Sequence, residues 1–365
     1  MRKFLFVLIF SFTTLWWMAC GGSTSNNNGI TPPKTQTTTF AFMQLVPNQG
    51  EMFSPMLGKF VTTDGNSQFS AAAVTDPTNG QPVTGDFYSI ILSPDGKKAT
   101  LDLYGGLDRN TAQWDIWVAT VDGSSMVQVT NDTNYNRTPQ FSPDGTKVIF
   151  VSMRPISEGS SRPQVVTRNV DGTGDTLLPM PPGFVGAWAP TFSPDGSKIA
   201  VELWGYDASQ NWYDGIWLMN ANGSNPRMLT NAAATEGCSC HDQTPSFTAD
   251  GSRITFSRED WTNPDIRHKE DVYIMSADGT GVTMLSDGVG TNFEPTVLNI
   301  SGVGERILFS SNRDNLSVAS GDGFDLYSMK LDATALTRLT NNQLYDSFNF
   351  SFDGLGSKDT AQTRW

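Results

Sequence analysis

The chain has 365 residues, room for one large domain or two ordinary ones, and carries 24 Lys and Arg against 37 Asp and Glu, a formal net charge of −13. That deficit argues against nucleic acid, which demands a basic footprint, and against adsorption to an anionic membrane by charge alone. The 34 glycines and 20 prolines, without sustained helical periodicity, suit a turn-rich β fold.

Residues 1–19 start with Arg2 and Lys3, run through a short apolar stretch and end on Ala19, the pattern of a secretory signal. The stretch is too short and too interrupted, by Ser11, Thr13 and Thr14, for a membrane span. With Cys20 directly after Ala19, the segment resembles the bacterial lipoprotein signal, which implies that Cys20 becomes the lipidated first residue of the mature protein. Residues 20–39 are polar and of low complexity, and read as a flexible tether. The absence of Asp after Cys20 implies, by the same resemblance, the outer membrane.

From residue 40 the chain is expected to be a single β domain extending to 365. Residues 40–46 read as a strand, and residues 55–74 as a strand pair with Asp64-Gly65 at the turn. Then Ser-Pro-Asp-Gly appears at Ser93, Ser142 and Ser193, with degenerate copies ending at Gly251, Gly302 and Gly354. Proline presets φ for the first central position, Asp bonds nearby backbone, and Gly accepts the positive φ that closes the turn. Apolar residues alternate on both sides, so each copy predicts a hairpin with one buried face. The terminal glycines lie 49, 51, 55, 51 and 52 residues apart, the spacing of a radial or stacked repeat.

Between successive turns lies a second strand pair, at 114–130, 214–230, 271–286 and 325–340. Two hairpins per period make four strands, one propeller blade. The predicted blades span 85–131, 136–179, 187–231, 243–286 and 293–341, and residues 346–354 are expected to join the segment after residue 39 in a composite blade. The fold expected is thus all-β: a six-bladed propeller of four-stranded antiparallel blades, closed by both ends of the chain so that no sheet edge is left open. Residues 232–242, AAATEGCSCHD, are the most distinctive irregularity of the repeat.

The pattern P-x-F-S-P-D-G-x-K-I-x-F, then D-I-W-x-M-x-x-D-G, then L-T, resembles the TolB-type propeller repeat. It is met at Pro139, Phe141, Ser142 to Gly145, Lys147 and Phe150, and at Pro190, Phe192, Ser193 to Gly196, Lys198 and Ile199. The repeat also occurs in the amino-terminal propellers of prolyl-oligopeptidase-like enzymes. The resemblance covers nearly everything after the tether and speaks for architecture rather than function. TolB carries an amino-terminal α/β domain for which the linker here has no room, so a role in the Tol system is not expected. No G-x-S-x-G nucleophile elbow is present, and a peptidase is not expected either.

In such a ring the loops between blades and those between second and third strands share one face around the channel. That face collects Tyr135, Trp188, Trp204, Tyr206, Trp212, Trp261, Phe293 and Tyr345. Interspersed are Asp108, Asp207, Glu259, Asp260, Asp265, Glu294, Asp314, Asp322 and Asp346. Aromatic platforms beside carboxylates suit recognition of a protein, peptide or glycan; the competing reading is that these rings pack loops onto their own blades.

Cys238-Ser239-Cys240-His241-Asp242 admits a Cys238–Cys240 disulfide, a metal site using both thiolates with His241 and Asp242, or two free thiols. His268 reads as a solvated loop residue, because Arg267 and Lys269 disfavour its protonated form. Asp115, Asp271 and Asp325 recur at the start of third strands, as Asp95, Asp144 and Asp195 recur in the turns; repetition points to structural hydrogen bonds, since one active site needs its acid once.

The function expected is a monomeric, non-enzymatic scaffold without cofactor, anchored in the bacterial envelope through Cys20. The alternative is an enzyme acting on carbohydrate or another extracellular substrate with channel-face carboxylates and possible metal.

Overall fold

A computed structural model describes residues 35–45, 53–63, 66–73, 87–104, 114–120, 125–157, 160–234, 239–262, 269–314, 323–341 and 346–347. Among these residues the strands form antiparallel four-stranded sheets, and the only helix is a short 3-10 turn at Ala232–Ala234. Five sheets are blades built from consecutive strands, inner strand first. The first blade holds Phe87–Leu92, Lys98–Tyr104, Trp114–Thr120 and Met126–Gln128. The second holds Asn136–Phe141, Lys147–Ser157, Ser160–Asn169 and Thr176–Leu177. The third holds Phe184–Phe192, Lys198–Tyr206, Trp212–Asn220 and Arg227–Met228. In the fourth are Cys240–Phe247, Arg253–Asp260, Lys269–Ser276 and Thr283–Met284, and in the fifth Asn292–Ile300, Gly304–Ser311, Asp325–Met329 and Thr337–Arg338.

The remaining sheet is a composite: Thr35–Leu45, Phe53–Thr63 and Asn66–Ala73 are joined by Asp346–Ser347 from the far end of the chain. It lies between the fifth and first blades. Phe40 and Phe42 pack with Ile300, Leu308 and Leu326, whereas Ala41 packs with Ile90 and Leu101. The Ser301 amide donates to Thr38 Oγ1 at 2.9 Å.

Two expectations need correction. The expected sixth, composite blade is not shown as a full blade: five blades are complete in consecutive sequence, and the sheet shared by the two ends of the chain gains its inner strand through only two paired positions, Met43 with Ser347 and Gln44 with Asp346. Residues 348–354, assigned to that strand and its turn, lie outside the described residues. The polar stretch ending at residue 39 is also not all tether. Thr35 to Thr39 pair in register with Thr63 to Lys59, because β-branched threonines favour a pleated surface once a partner strand is present.

The repeated turn works as its residues dictate. In the first copy Ser93 Oγ donates to Asp95 Oδ1 at 2.7 Å, the Lys97 amide donates to the same oxygen, and Gly96 closes the turn at φ 67°. Ser142, Ser193 and Thr248 repeat the first of these bonds, to Asp144, Asp195 and Asp250. The Ser193 hydroxyl, with the Ser197 amide, holds the exposed Asp195 carboxyl down to about 2, and the Ser252 amide, with the Thr248 hydroxyl, does the same for Asp250.

A second repeated device sits beneath the third strands. Thr130 Oγ1 donates to Asp115 at 2.9 Å while accepting from the Ile116 amide at 2.8 Å. Ser286 and Asp271, and Thr340 and Asp325, do the same. These aspartates are buried cross-links between third and outer strands, the structural role their repetition implied.

Inner strands share a bulge. Thr138, Ala189, Thr244 and Glu294 each precede a proline at positive φ (53°, 44°, 52° and 56°), where the pairing register shifts. The bulged amide turns toward the preceding blade: Thr138 N donates to Asp102 Oδ2 at 3.2 Å, and Glu294 N to Ser257 Oγ at 3.0 Å. Adjacent blades are therefore bonded through backbone near the channel, which makes the ring a rigid mount for its loops.

Candidate functional site

The blade-to-blade loops and second-to-third strand loops lie on one face, which we call the mouth; the Asp-Gly turns lie on the other. Two aromatic pairs stand at the mouth. Tyr206 and Trp212 are cross-strand partners, rings 5.1 Å apart at 73°, and are 44% and 40% exposed. Tyr104 and Trp114 pair across the corresponding strands of the first blade, two residues short of the Tyr206–Trp212 position, 5.3 Å apart, with the Arg137 guanidinium 4.3 Å over the Trp114 ring. Tyr135 is exposed on the loop between first and second blades. Sequence reasoning missed Tyr104 and Trp114, whose offsets from the Ser-Pro-Asp-Gly turn differ from those of Tyr206 and Trp212, so no shared spacing marked them.

Other predicted aromatics serve the scaffold. Phe293 is buried, edge-to-face with Phe324 at 4.9 Å, and cannot meet a ligand on the surface. Trp188 is half-buried between the cores on its two sides. Trp204 is half-buried and lies so close over Gly186 that a Cβ there would enter the indole. Trp261 stands beside His241, rings 6.0 Å apart. Tyr345, Asp108, Asp265, Asp322, His268, Cys20 and Cys238 lie outside the described residues, and only the backbone of Asp346 is described.

The carboxylates divide similarly. Asp207 accepts from the Ser209 and Asn211 amides and shapes its own loop. Asp260 accepts from the Thr262 amide, and Asp314 from the Tyr327 hydroxyl at 2.7 Å. Glu259 and Glu294, however, converge on a third acid that sequence reading overlooked. Glu270 is the register partner of Glu259, and all three are buried at the mouth ends of their strands. Gln243 Nε2 donates to Glu270 Oε1 at 3.0 Å. Burial first, then the charges of Glu259 and Glu294, push the Glu270 carboxyl well above the ordinary range. Asp102, accepting from the Ser89 and Thr138 amides, is raised to about 6 by burial, which outweighs the opposing effect of the Arg137 charge.

The Cys238–Asp242 segment does not assemble the metal set considered for it. Adjacent residues of an extended strand project to opposite sides. His241 Nδ1 therefore meets Asp214 Oδ2 of the third blade at 2.5 Å, while Asp242 receives a two-pronged contact from Arg258 at 2.6 and 2.8 Å. Cys240 is disulfide-bonded and so offers no thiolate; its partner is outside the described residues. Among the described residues no group of three or more His, Cys, Asp or Glu side chains is placed to hold a metal ion. Asp214 is a departure from the repeat: Gly215 fills the position that carries Asp in the first, fourth and fifth blades, and the acid one residue earlier turns to His241.

An all-β ring of antiparallel four-stranded blades is a β-propeller, and its recurring Ser-Pro-Asp-Gly hairpin is similar to that of TolB-type propellers. Among curated proteins, a TolB homologue from Chlorobium luteolum is 29% identical over 169 residues, 46% of this chain and 33% of that protein. An uncharacterised protein from Agrobacterium fabrum is 26% identical over 169 residues, 53% of its length. The chain thus spans about a third to a half of the curated relatives it matches. No family model matches. Among solved structures, a TolB-like protein from Agrobacterium tumefaciens superposes with a TM-score of 0.53 at 15% identity, covering 87% of this chain and 99% of that one. Hydrazine synthase from Kuenenia stuttgartiensis gives 0.58 at 13% identity, over 86% of this chain and 46% of that one. Such low identities speak for the fold alone.

Proposed function

We propose that this protein is an envelope scaffold, lipid-anchored through Cys20, that binds a protein, peptide or glycan on its mouth face, and that the composite sheet acts as its sixth blade. The observation carrying this reading is the exposed aromatic pair Tyr206–Trp212, with the exposed Tyr104 beside the half-buried Trp114, which offer apolar area from rigid strand ends rather than from pliable loops. Rigid presentation lowers the ordering cost of association.

The test is capture of envelope proteins and glycans by the whole mature protein, alongside a Tyr206→Ala/Trp212→Ala double variant. Loss of at least about tenfold in affinity is expected, the scale of an aromatic hot spot. Undiminished capture by a folded variant would count against the mouth.

A second reading is favoured by one observation, the convergence of Glu259, Glu270 and Glu294. A carboxyl held well above its ordinary range beside two further carboxyls is an arrangement that can supply acid and base to glycan cleavage. Turnover of a polysaccharide that disappears in Glu270→Gln, with binding retained, would select the enzyme over the scaffold.

A further inference from the structure

The turn face, opposite the mouth, carries a separate feature at the junction of the fourth and fifth blades. A cavity of about 400 Å³ opens there, walled by Arg253, Arg306 and Lys330 together with Glu305, Asp332 and the apolar Leu331. On a chain of net charge −13, three cations around one cavity are out of keeping with the surface as a whole.

Their lack of partners is more informative. Arg154, Arg168, Arg258, Arg313 and Arg338 all form ion pairs. Among the described residues, the side chains of Arg253, Arg306 and Lys330 form no hydrogen bond or ion pair, although the charge of Arg253 acts on Asp250 and that of Lys330 on Asp332. The two acids of the cavity are already engaged: Glu305 Oε1 accepts from the Ala249 amide at 2.5 Å, and Asp332 Oδ1 from the Thr334 amide and hydroxyl. The nearby Asp250 is likewise committed to Thr248 and Ser252.

Comparison between blades shows that this arrangement departs from the repeat. In the second blade the cation that opens the second strand, Lys147, is bound by its cross-strand partner Asn169, Nζ to Oδ1 3.1 Å. In the third blade Lys198 is bound by Asn220 at 2.7 Å. The fourth blade has Arg253 facing Ser276, too short to repeat that bond. In the fifth, one step beyond the paired Ile307 and Met329, Arg306 faces Lys330: a cation stands where the accepting Asn would be. Like charges across a strand pair destabilise it. The first blade also lacks the Asn, with Lys98 facing Thr120, so the bonded solution belongs to two blades; only the fifth sets a second cation opposite the first, a local choice that works against the fold and marks a position kept for something else.

We propose that this cavity binds the phosphate group of a small phosphorylated molecule, with Arg253 and Arg306 offering planar forks to its oxygens and Lys330 a point charge. Two guanidinium groups favour a tetrahedral, multiply charged oxyanion over a single carboxylate. The volume suits a ligand of phosphosugar size. The phosphate can belong to a free phosphomonoester or to a lipid headgroup, and the site is independent of the mouth.

The experiment is calorimetric titration of the full mature chain with inorganic phosphate, glycerol 3-phosphate and acetate, with sedimentation on phosphatidylglycerol vesicles as a separate arm. Saturable binding of the phosphates is expected, weakened at least tenfold in Arg306→Ala and Arg253→Ala and unchanged in Lys198→Ala, the equivalent cation of the third blade. Lys330→Asn, which installs the residue of the second and third blades, is expected to abolish binding while raising the melting temperature; the gain separates lost binding from lost folding. Binding to vesicles alone, with the same variant pattern, assigns the phosphate to a headgroup and upholds the site. Absence of binding in both arms, equal binding of acetate, or equal loss in Lys198→Ala overturns it.

Discussion

Replacing Gly183 with alanine is expected to lower the unfolding free energy by about 3 to 5 kcal/mol, with a parallel loss of mouth-face binding. Gly183 precedes the inner strand of the third blade at φ +77°, a region costly for any residue with a Cβ. It also lies against the end of the second strand, where the Tyr206 amide donates to its carbonyl at 3.0 Å. A Cβ would enter the Tyr206 carbonyl oxygen, which is backbone and cannot swing away. Relief requires the two strand ends to part, displacing Tyr206 and with it the exposed pair with Trp212. Gly145→Ala provides the comparison: φ is +69°, but nothing lies within 4 Å of the added methyl, so only the conformational cost of about 1 to 2 kcal/mol is expected. Guanidinium unfolding followed by tryptophan fluorescence measures both. Equal costs would mean that the close approach at Gly183 does not exist.

The second large effect is a fall in stability as pH rises from about 4.5 to 7. Asp102 has a folded pKa of about 6 against an ordinary 3.8. A carboxyl raised on folding contributes its stability fully below the unfolded value and loses it as pH climbs through the folded one. The upward shift of Asp102 alone corresponds to a loss on the order of 2 to 3 kcal/mol by neutral pH. Glu270, pushed up by burial and by Glu259 and Glu294, acts in the same direction. The turn aspartates are shifted the other way; Asp195 and Asp250, at about 2, lose their contribution only in stronger acid and leave this window alone. Urea unfolding at half-unit pH steps checks the sign, and Asp102→Asn is expected to flatten part of the slope. Stability that rises toward neutrality would show that the Asp102 carboxyl is not the buried, costly anion described here.

These two effects illustrate different degrees of legibility. The turn chemistry was written locally. Ser, Pro, Asp and Gly at fixed offsets specify one hairpin whatever surrounds them, and Gly96, Gly145, Gly196 and Gly251 all adopt the positive φ that the turn needs. Asp115, Asp271 and Asp325 were likewise readable, because a residue recurring at one offset is bound to recur in one environment. Gly183 was not: its special position depends on Tyr206 approaching from another strand. Phe293 misled for the same reason. Its position near a mouth loop suggested a ligand contact, whereas Phe324 covers it.

The mouth carboxylates show the limit most clearly. Acids are so abundant that no spacing picks out Glu259, Glu270 and Glu294; they meet because a register pair in one blade faces the inner strand of the next. His241 and Asp242, neighbours that invited a shared metal, are separated by the pleat of their own strand.

By itself, then, the amino-acid sequence determined the repeating unit: its period, its two hairpins and the face on which each loop emerges, since all three follow from short-range turn geometry and alternation of apolar residues. The tertiary structure decided which side chains are surface and which are core, how strongly buried acids hold their protons, and which cations remain without a partner. Those properties arise from contacts between blades roughly fifty residues apart, where distance in the chain carries no information about distance in space.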